Sequence, residues 1–486
     1  MSAVMPVFWP LLAAVALAAF PRAVRVWIGL VGVGTAWALA QLYERIGNAG
    51  PLRYQLGGWG APLGIDLYID GLALFMLITT WLVGLAVSLY ALGYFAGAEH
   101  KAREGRYFWI LWFFLWAALN ALFMSADLFN LYVTLELVSI GAVALTALSA
   151  SKAALTAALR YLLVGLVASL SYLMGVALLY SGYGQLDIYA LAGVVTAQPL
   201  TWCVMALMLA AVMIKTALFP LHFWLPPAHS SALAPVSALL SALVVKTGFY
   251  LFVRLWFELF ESVTTMALAN LVGVLGAAAV LWGSIQALRT ARLKLLIAYS
   301  TVAQLGYLFL LAPLAMSTVG AVAWSGVFYL LIAHACAKGA LFLSAGTIMK
   351  VLGHDRLNEL QGLGKVLPLT LATCALAAVS LVGLPPSGGF VAKWSLLVAA
   401  AEGGQWWWIV LLAVGGLLTA AYLFRLLSPA MAGGTFENEI RERDYPLMVW
   451  PAFALAAFAL VLGVVAPNFF ELLLIGAPVA AGGNGA

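Results

Sequence analysis

Apolar runs long enough to cross a bilayer recur along the whole of this chain, and no long polar stretch interrupts them. That recurrence leaves no room for a soluble domain or an interdomain linker, so residues 1–486 are read as a single membrane domain. Runs of this length suit helices, and the fold class is an all-α integral membrane protein. Composition agrees, with 65% hydrophobic and only 8% charged residues, against roughly 25% charged in an ordinary soluble domain. The first run, MPVFWPLLAAVALAAF, has no basic segment before it and no convincing small-residue cleavage site after it. It is read as a spanning helix and not as a secretory signal.

Fourteen runs can be counted, at about 5–20, 24–43, 71–95, 107–126, 128–150, 158–182, 200–221, 231–260, 262–287, 293–314, 317–348, 367–401, 405–430 and 446–474. Loops after odd-numbered spans hold sixteen cations, Lys294 and Arg441 among them, whereas loops after even-numbered spans hold only Arg45, Arg53 and Arg254. Positive charge marks the cytoplasmic side of a membrane protein. Odd loops are therefore expected in the cytoplasm and both termini on the outer side, in a bacterial or archaeal cytoplasmic membrane.

Of the 23 lysines and arginines, this leaves four inside spans, and all four are lysines: Lys215, Lys246, Lys338 and Lys393. Each costs roughly 2.5–3.5 kcal/mol at a helix centre, so four by accident would be unusual. An ammonium can give up its proton when desolvated and a guanidinium effectively cannot, so lysine suits a switchable charge. A snorkelling side chain near a helix end competes with this reading at Lys215 and Lys393, where prolines lie nearby. The apolar flanks of Lys246 and Lys338 leave little space for that alternative.

One carboxylate, Glu136, sits in mid-span within LFNLYVTLELVSIGAVALTAL, and one of the lysines is its natural counter-ion. Such a pair is either a permanent staple between helices or a switch whose opening moves a proton. Lys215 is followed by Pro220, Pro226, Pro227 and Pro235, which a continuous helix does not accommodate. Far along the chain Pro385, Pro386, Gly388 and Gly389 precede Lys393 in the same manner. The two proline-interrupted spans are the seventh and the twelfth. A repeat of five helices reverses its membrane orientation on the second pass, the inverted arrangement of many transporters. Breaks of this kind let half-helix ends, carbonyls and water meet within the membrane, although a lone proline more often marks a packing kink.

His334 and Lys338 lie four residues apart on one helix face and are candidates for a proton relay. At His222 and His229, near the broken end of the seventh span, capping or loop roles compete evenly with proton uptake. The three cysteines, Cys203, Cys336 and Cys374, form no CxxC pair or metal-ligand spacing, and no cofactor, metal site or redox ligand is expected in this chain.

With Glu136, Lys215, FPLHFWLPPAH, Lys246, AYSTVAQLGY, HACAKGALF and LPPSGGFVAKW in order, the chain resembles the antiporter-like subunits shared by Mrp-type sodium/proton antiporters, respiratory complex I and membrane-bound hydrogenases. The resemblance runs from about residue 60 to 430, and within the family it is most similar to the D subunit of the Mrp complex. It implies fourteen transmembrane helices with two inverted five-helix repeats, here 107–260 and 262–430. It further implies a Glu–Lys pair between Glu136 and Lys215, a central Lys246, ionisable positions at His334 and Lys338, and a terminal Lys393. The implied function is proton translocation in a multisubunit Na+/H+ antiporter, with other membrane subunits, protons and sodium as partners. A proton-pumping module of a redox-driven complex is the alternative. A self-sufficient solute transporter would need a polar substrate pocket in place of a line of titratable groups, and a passive scaffold would not need the buried charges.

Overall fold

The computed structural model describes residues 2–62, 64–97, 99–433 and 442–479. Arg441, counted above with the odd loops, lies outside the described residues. Helices dominate, and among the described residues the sheet is confined to one short antiparallel pair of strands, Leu52–Gln55 and Asp66–Ile69. Among the described residues, ten helices are long and apolar enough to cross a membrane, and a bent pair, Pro446–Val461 with Ala466–Leu474, makes an eleventh. Three shorter apolar helices, Met5–Ala19, Pro199–Lys215 and Pro368–Val382, lie where the first, seventh and twelfth spans were expected. The run expected at 446–474 is bent by 79° at its break.

Polar residues between the apolar runs start and stop these helices. Asp70, Asp127, Ser151 and Ser387 each accept a hydrogen bond from the backbone three residues on, satisfying an end that lipid cannot. Gly184, Gly353 and Gly383 end their helices in the left-handed conformation.

Both prolyl breaks are real. The helix Pro199–Lys215 stops at Lys215 and the chain resumes helix at Leu225, with a cis Phe219–Pro220 bond between. Pro368–Val382 stops at Gly383 and resumes at Gly388, with a cis Pro385–Pro386 bond between. The lysines, however, stand on opposite sides of their breaks: Lys215 ends the first half-helix, whereas Lys393 lies inside the second half.

Burial is graded from centre to edge. In their most apolar stretches Ala234–Leu259 and Gly320–Leu352 are fully buried and Leu293–Ala315 nearly so, whereas fewer than half the residues of those stretches are buried in Pro21–Ala49, Lys152–Tyr183, Met266–Arg289 and Trp406–Met431. The enclosed trio carries Lys246, His334 and Lys338. Exposed apolar side chains such as Val33, Leu417 and Phe424 belong to the outer helices, as expected for surfaces that meet lipid or another membrane subunit.

Two charges counted as loop residues are buried inside the fold. Arg254 lies within Ala234–Leu259, 2% exposed, and donates to both carboxylate oxygens of Asp70 at 2.7 Å, to Glu258 and to the Tyr250 hydroxyl at 3.0 Å. Lys294, also 2% exposed, sits in the first turn of Leu293–Leu308 and donates to the Ala232 carbonyl. An apolar run read by itself cannot distinguish a charge at its end from a charge that neighbouring helices enclose. Moving one residue out of each loop class leaves the charge bias between the two sides intact.

Candidate functional site

The first element of the site lies between the helices Leu128–Ala147 and Pro199–Lys215. The Lys215 Nζ is 3.3 Å from Glu136 Oε1 and donates to Ser139 Oγ at 2.6 Å, while the Ser169 hydroxyl donates to the same Glu136 oxygen. Both partners are largely enclosed, with side-chain exposures of 5% for Lys215 and 19% for Glu136. Ser139 follows Glu136 by three residues, so both project from one face of their helix toward Lys215. Glycine makes room at Gly248, where a Cβ would fall 2.5 Å from Thr216 Oγ1 and 2.8 Å from the Val212 carbonyl oxygen. The Lys246 helix can therefore pack directly on the break that follows Lys215.

Lys246 is completely buried and donates to the Ser241 carbonyl at 2.6 Å. That carbonyl belongs to a π-helical turn, Leu240–Val244, whose widened ladder is a frequent feature of functional helices. From here hydrogen bonds lead to the neighbouring helix. The Ser241 and Thr301 hydroxyls meet at 2.9 Å, Thr301 donates to the Ile297 carbonyl at 3.0 Å, and Lys338 donates to that same carbonyl at 3.1 Å and to the Ser300 hydroxyl. His334, one turn before Lys338, lies within electrostatic reach of Lys246 and Lys338, and its Nε2 has no hydrogen-bond partner among the described residues. His229 is fully buried, stacks on Phe342 with ring centroids 4.8 Å apart, and interacts electrostatically with Lys294, Lys338 and Lys246. His222 lies in the first break, stacked on Phe219 at 5.5 Å.

Lys393 has different company. Its ammonium donates to the carbonyls of Leu381 and Val382, both at 2.9 Å, and lies 5.2 Å from the centre of the Tyr307 ring. Those carbonyls end the helix before the break, where the helix dipole favours a cation. Tyr307 also completes a pattern: Ser300, Gln304 and Tyr307 fall at i, i+4 and i+7 on one face of Leu293–Leu308. Ser300 holds Lys338, Gln304 reaches Thr419 at 3.3 Å and Tyr422 at 3.5 Å, and Tyr307 faces Lys393.

The structure thus brings Lys246, His334 and Lys338 into one interior cluster with His229 beside it, holds Glu136 with Lys215, and links the cluster toward Lys393 by the polar helix face. Sequence reasoning missed the connecting hydroxyls and amide. Ser300, Thr301, Gln304 and Tyr307 all lie within AYSTVAQLGY, where an i, i+4, i+7 polar face in an otherwise apolar run was the available signal. It also missed Lys294. A cavity of about 470 Å³ runs from the exposed Lys350 to this buried lysine, with Lys101 and Tyr94 in its wall.

Residues 125–419 match the family described as NADH:quinone oxidoreductase/Mrp antiporter, TM. The chain is 36% identical over 410 residues to NADH-quinone oxidoreductase subunit N of Desulforudis audaxviator, covering 83% of this chain and 80% of that one. It is 29% identical over 455 residues to the D subunit of the Na(+)/H(+) antiporter of Alkalihalophilus pseudofirmus, covering 93% and 90%. Among solved structures, a chain of the Mrp complex from a Dietzia species superposes with a TM-score of 0.86 at 26% identity, covering 97% of this chain and 96% of that one.

Proposed function

We propose, from the premise that this chain belongs to the transmembrane family shared by NADH:quinone oxidoreductases and Mrp antiporters, that it is the proton-translocating subunit of a multisubunit Mrp-type Na+/H+ antiporter. The observation that carries this reading is the interior line of titratable groups, with Glu136 and Lys215 at one end, Lys246, His334 and Lys338 at the centre and Lys393 at the other. An isolated charge within a membrane is costly and marks a path or a relay. Here most of the members are lysines, whose charge can be withdrawn.

The path works by local exchange. When Lys215 is paired with Glu136, its ammonium is held between two helices, and a proton arriving or leaving at the centre changes the field in which that pair sits. The Ser241 and Ile297 carbonyls, with the hydroxyls of Ser241, Thr301 and Ser300 between and beside them, line the interval between Lys246 and Lys338, and Gln304 with Tyr307 extends the polar face toward Lys393. Lys294, at the buried end of the cavity that opens by Lys350, takes protons up from the odd-loop side and His229 passes them inward. Odd loops lie in the cytoplasm and both termini outside, and the short first span together with the seventh and twelfth, these last two each in two pieces, completes fourteen crossings arranged as two inverted repeats over 107–260 and 262–430.

Sodium enters this reading through the antiporter relative of Alkalihalophilus pseudofirmus. A redox-driven pump module is the second reading, favoured by the identity to the oxidoreductase relative of Desulforudis audaxviator. Purified complex containing this chain, reconstituted in vesicles with a pH-sensitive dye, separates them. Antiport predicts proton movement on a sodium jump without any electron donor. Proton movement that needs NADH and quinone, and ignores sodium, would replace the antiporter reading with the redox one. In whichever assay is active, Lys294→Gln should slow proton movement by about tenfold or more, since it keeps a hydrogen-bond donor and removes the carried proton. Unchanged rates would remove Lys294 from the path.

A further inference from the structure

Two hollows join along the second helix. The first, of about 580 Å³, is lined by Arg22, Arg25 and Arg106, and the second, of about 730 Å³, continues from it and shares Arg25 and Leu92. The second is a groove between Val24–Ala49 and Gly71–Tyr94, with Ile28, Gly29, Gly32, Trp37 and Trp81 in its walls. We propose that this joined site holds one anionic phospholipid, its headgroup on the three arginines and an acyl chain along the groove from Gly29 to Trp37.

Charge selects the ligand. All three arginines are exposed, none has an ion-pair partner among the described residues, and no carboxylate lines either hollow among those residues. A cluster of guanidinium groups at a membrane surface attracts acidic headgroups, and its planar donors match phosphate oxygens. Length selects a lipid over a soluble anion. Arg25 and Trp37 are twelve residues apart on one helix, about 18 Å of rise, close to the depth of one leaflet in a core of about 30 Å.

The groove is a built surface. A Cβ at Gly29 would meet nothing within 4 Å, and one at Gly32 would meet only Leu85 Cδ1, at 3.3 Å. The Trp81 indole donates to the Gly32 carbonyl at 2.9 Å and ties the two walls together. Small side chains thus leave an apolar channel that begins at a basic rim.

The test uses the intact complex in phosphatidylcholine vesicles doped with phosphatidylglycerol carrying a photoreactive acyl chain, followed by peptide mapping. Labelling is expected within residues 29–37. It should fall at least about fivefold when Arg22→Gln, Arg25→Gln and Arg106→Gln are combined. Gly29→Leu, whose Cβ would meet no protein atom within 4 Å and whose side chain extends into the groove, should reduce it similarly with the arginines intact. Complex yield and transport activity control for folding. Equal labelling by photoreactive phosphatidylcholine would overturn the anionic headgroup assignment. Labelling unaffected by both variants, or absent from the wild-type groove because another subunit covers it, would overturn the site.

Discussion

The two broken spans solve one problem in two ways. At the first break Lys215 reaches outward, to Glu136 and Ser139 on another helix. At the second Lys393 reaches back across its own break, to the carbonyls of Leu381 and Val382, with the face of Tyr307 beside it. Prolines and glycines open the backbone in both places, but among the described residues only the first lysine has a carboxylate partner. The first is an ion pair whose strength depends on how two helices stand relative to each other. The second is a cation held by fixed dipoles of its own span, and its environment changes little unless the break itself moves. Helix movement is therefore expected to speak to Lys215 first and to Lys393 only through the central groups.

The largest effect should come from Lys215→Ala. It removes one partner of an enclosed pair and leaves Glu136 with the Ser169 hydroxyl alone, so transport should fall by on the order of a hundredfold or more. Complex yield should hold, because Glu136 keeps partial contact with its surroundings. Wild-type transport in vesicles bearing this variant would reduce the pair to packing and erase the contrast between the breaks.

Exchanging the partners, with Glu136→Lys and Lys215→Glu together, should likewise leave the complex assembled, yet hold transport at about a tenth or less of wild type. The lysine would then start from the wrong helix. Full activity of the exchanged pair would mean that only the sum of charges matters, as in a staple.

At Lys393 the informative comparison is Arg against Gln. Arginine keeps the charge and glutamine keeps a donor for the two carbonyls, but neither carries a proton away, so both should lower transport by roughly tenfold or more. Near-normal rates with Lys393→Arg alone would show that a fixed positive charge suffices there, and Lys393 would be an electrostatic gate instead of a carrier.

The smallest effect concerns the break that holds Lys393. Gly383 has φ +87°, and a Cβ there would stand 2.8 Å from Lys393 Cδ. Gly383→Ala should cost about 1–2 kcal/mol of backbone strain and displace the ammonium from its carbonyls. A transport loss of a few fold, without loss of the complex, is expected. An unaltered rate would show that Lys393 works without its seat on the half-helix end.

Local chemistry makes much of this protein legible in its sequence. Uninterrupted apolar runs require helices, a proline lacks the N–H that a helix interior needs, and a lysine amid leucines and alanines is costly wherever the helix packs. The spans, both breaks and the four lysines follow from properties that each segment carries alone. The partner of Glu136 could be narrowed only by the family resemblance, because Lys215 is 79 positions away along the chain. Arg254 and Lys294 were read as loop charges since nothing in their own segments tells that Asp70 and Ala232 enclose them. The polar face of Ser300, Gln304 and Tyr307 was present in the sequence, but what it faces was not. Which buried charge meets a carboxylate, which meets a helix end and which opens to a cavity depends on contacts between distant segments, and only the packing of the helices decided them.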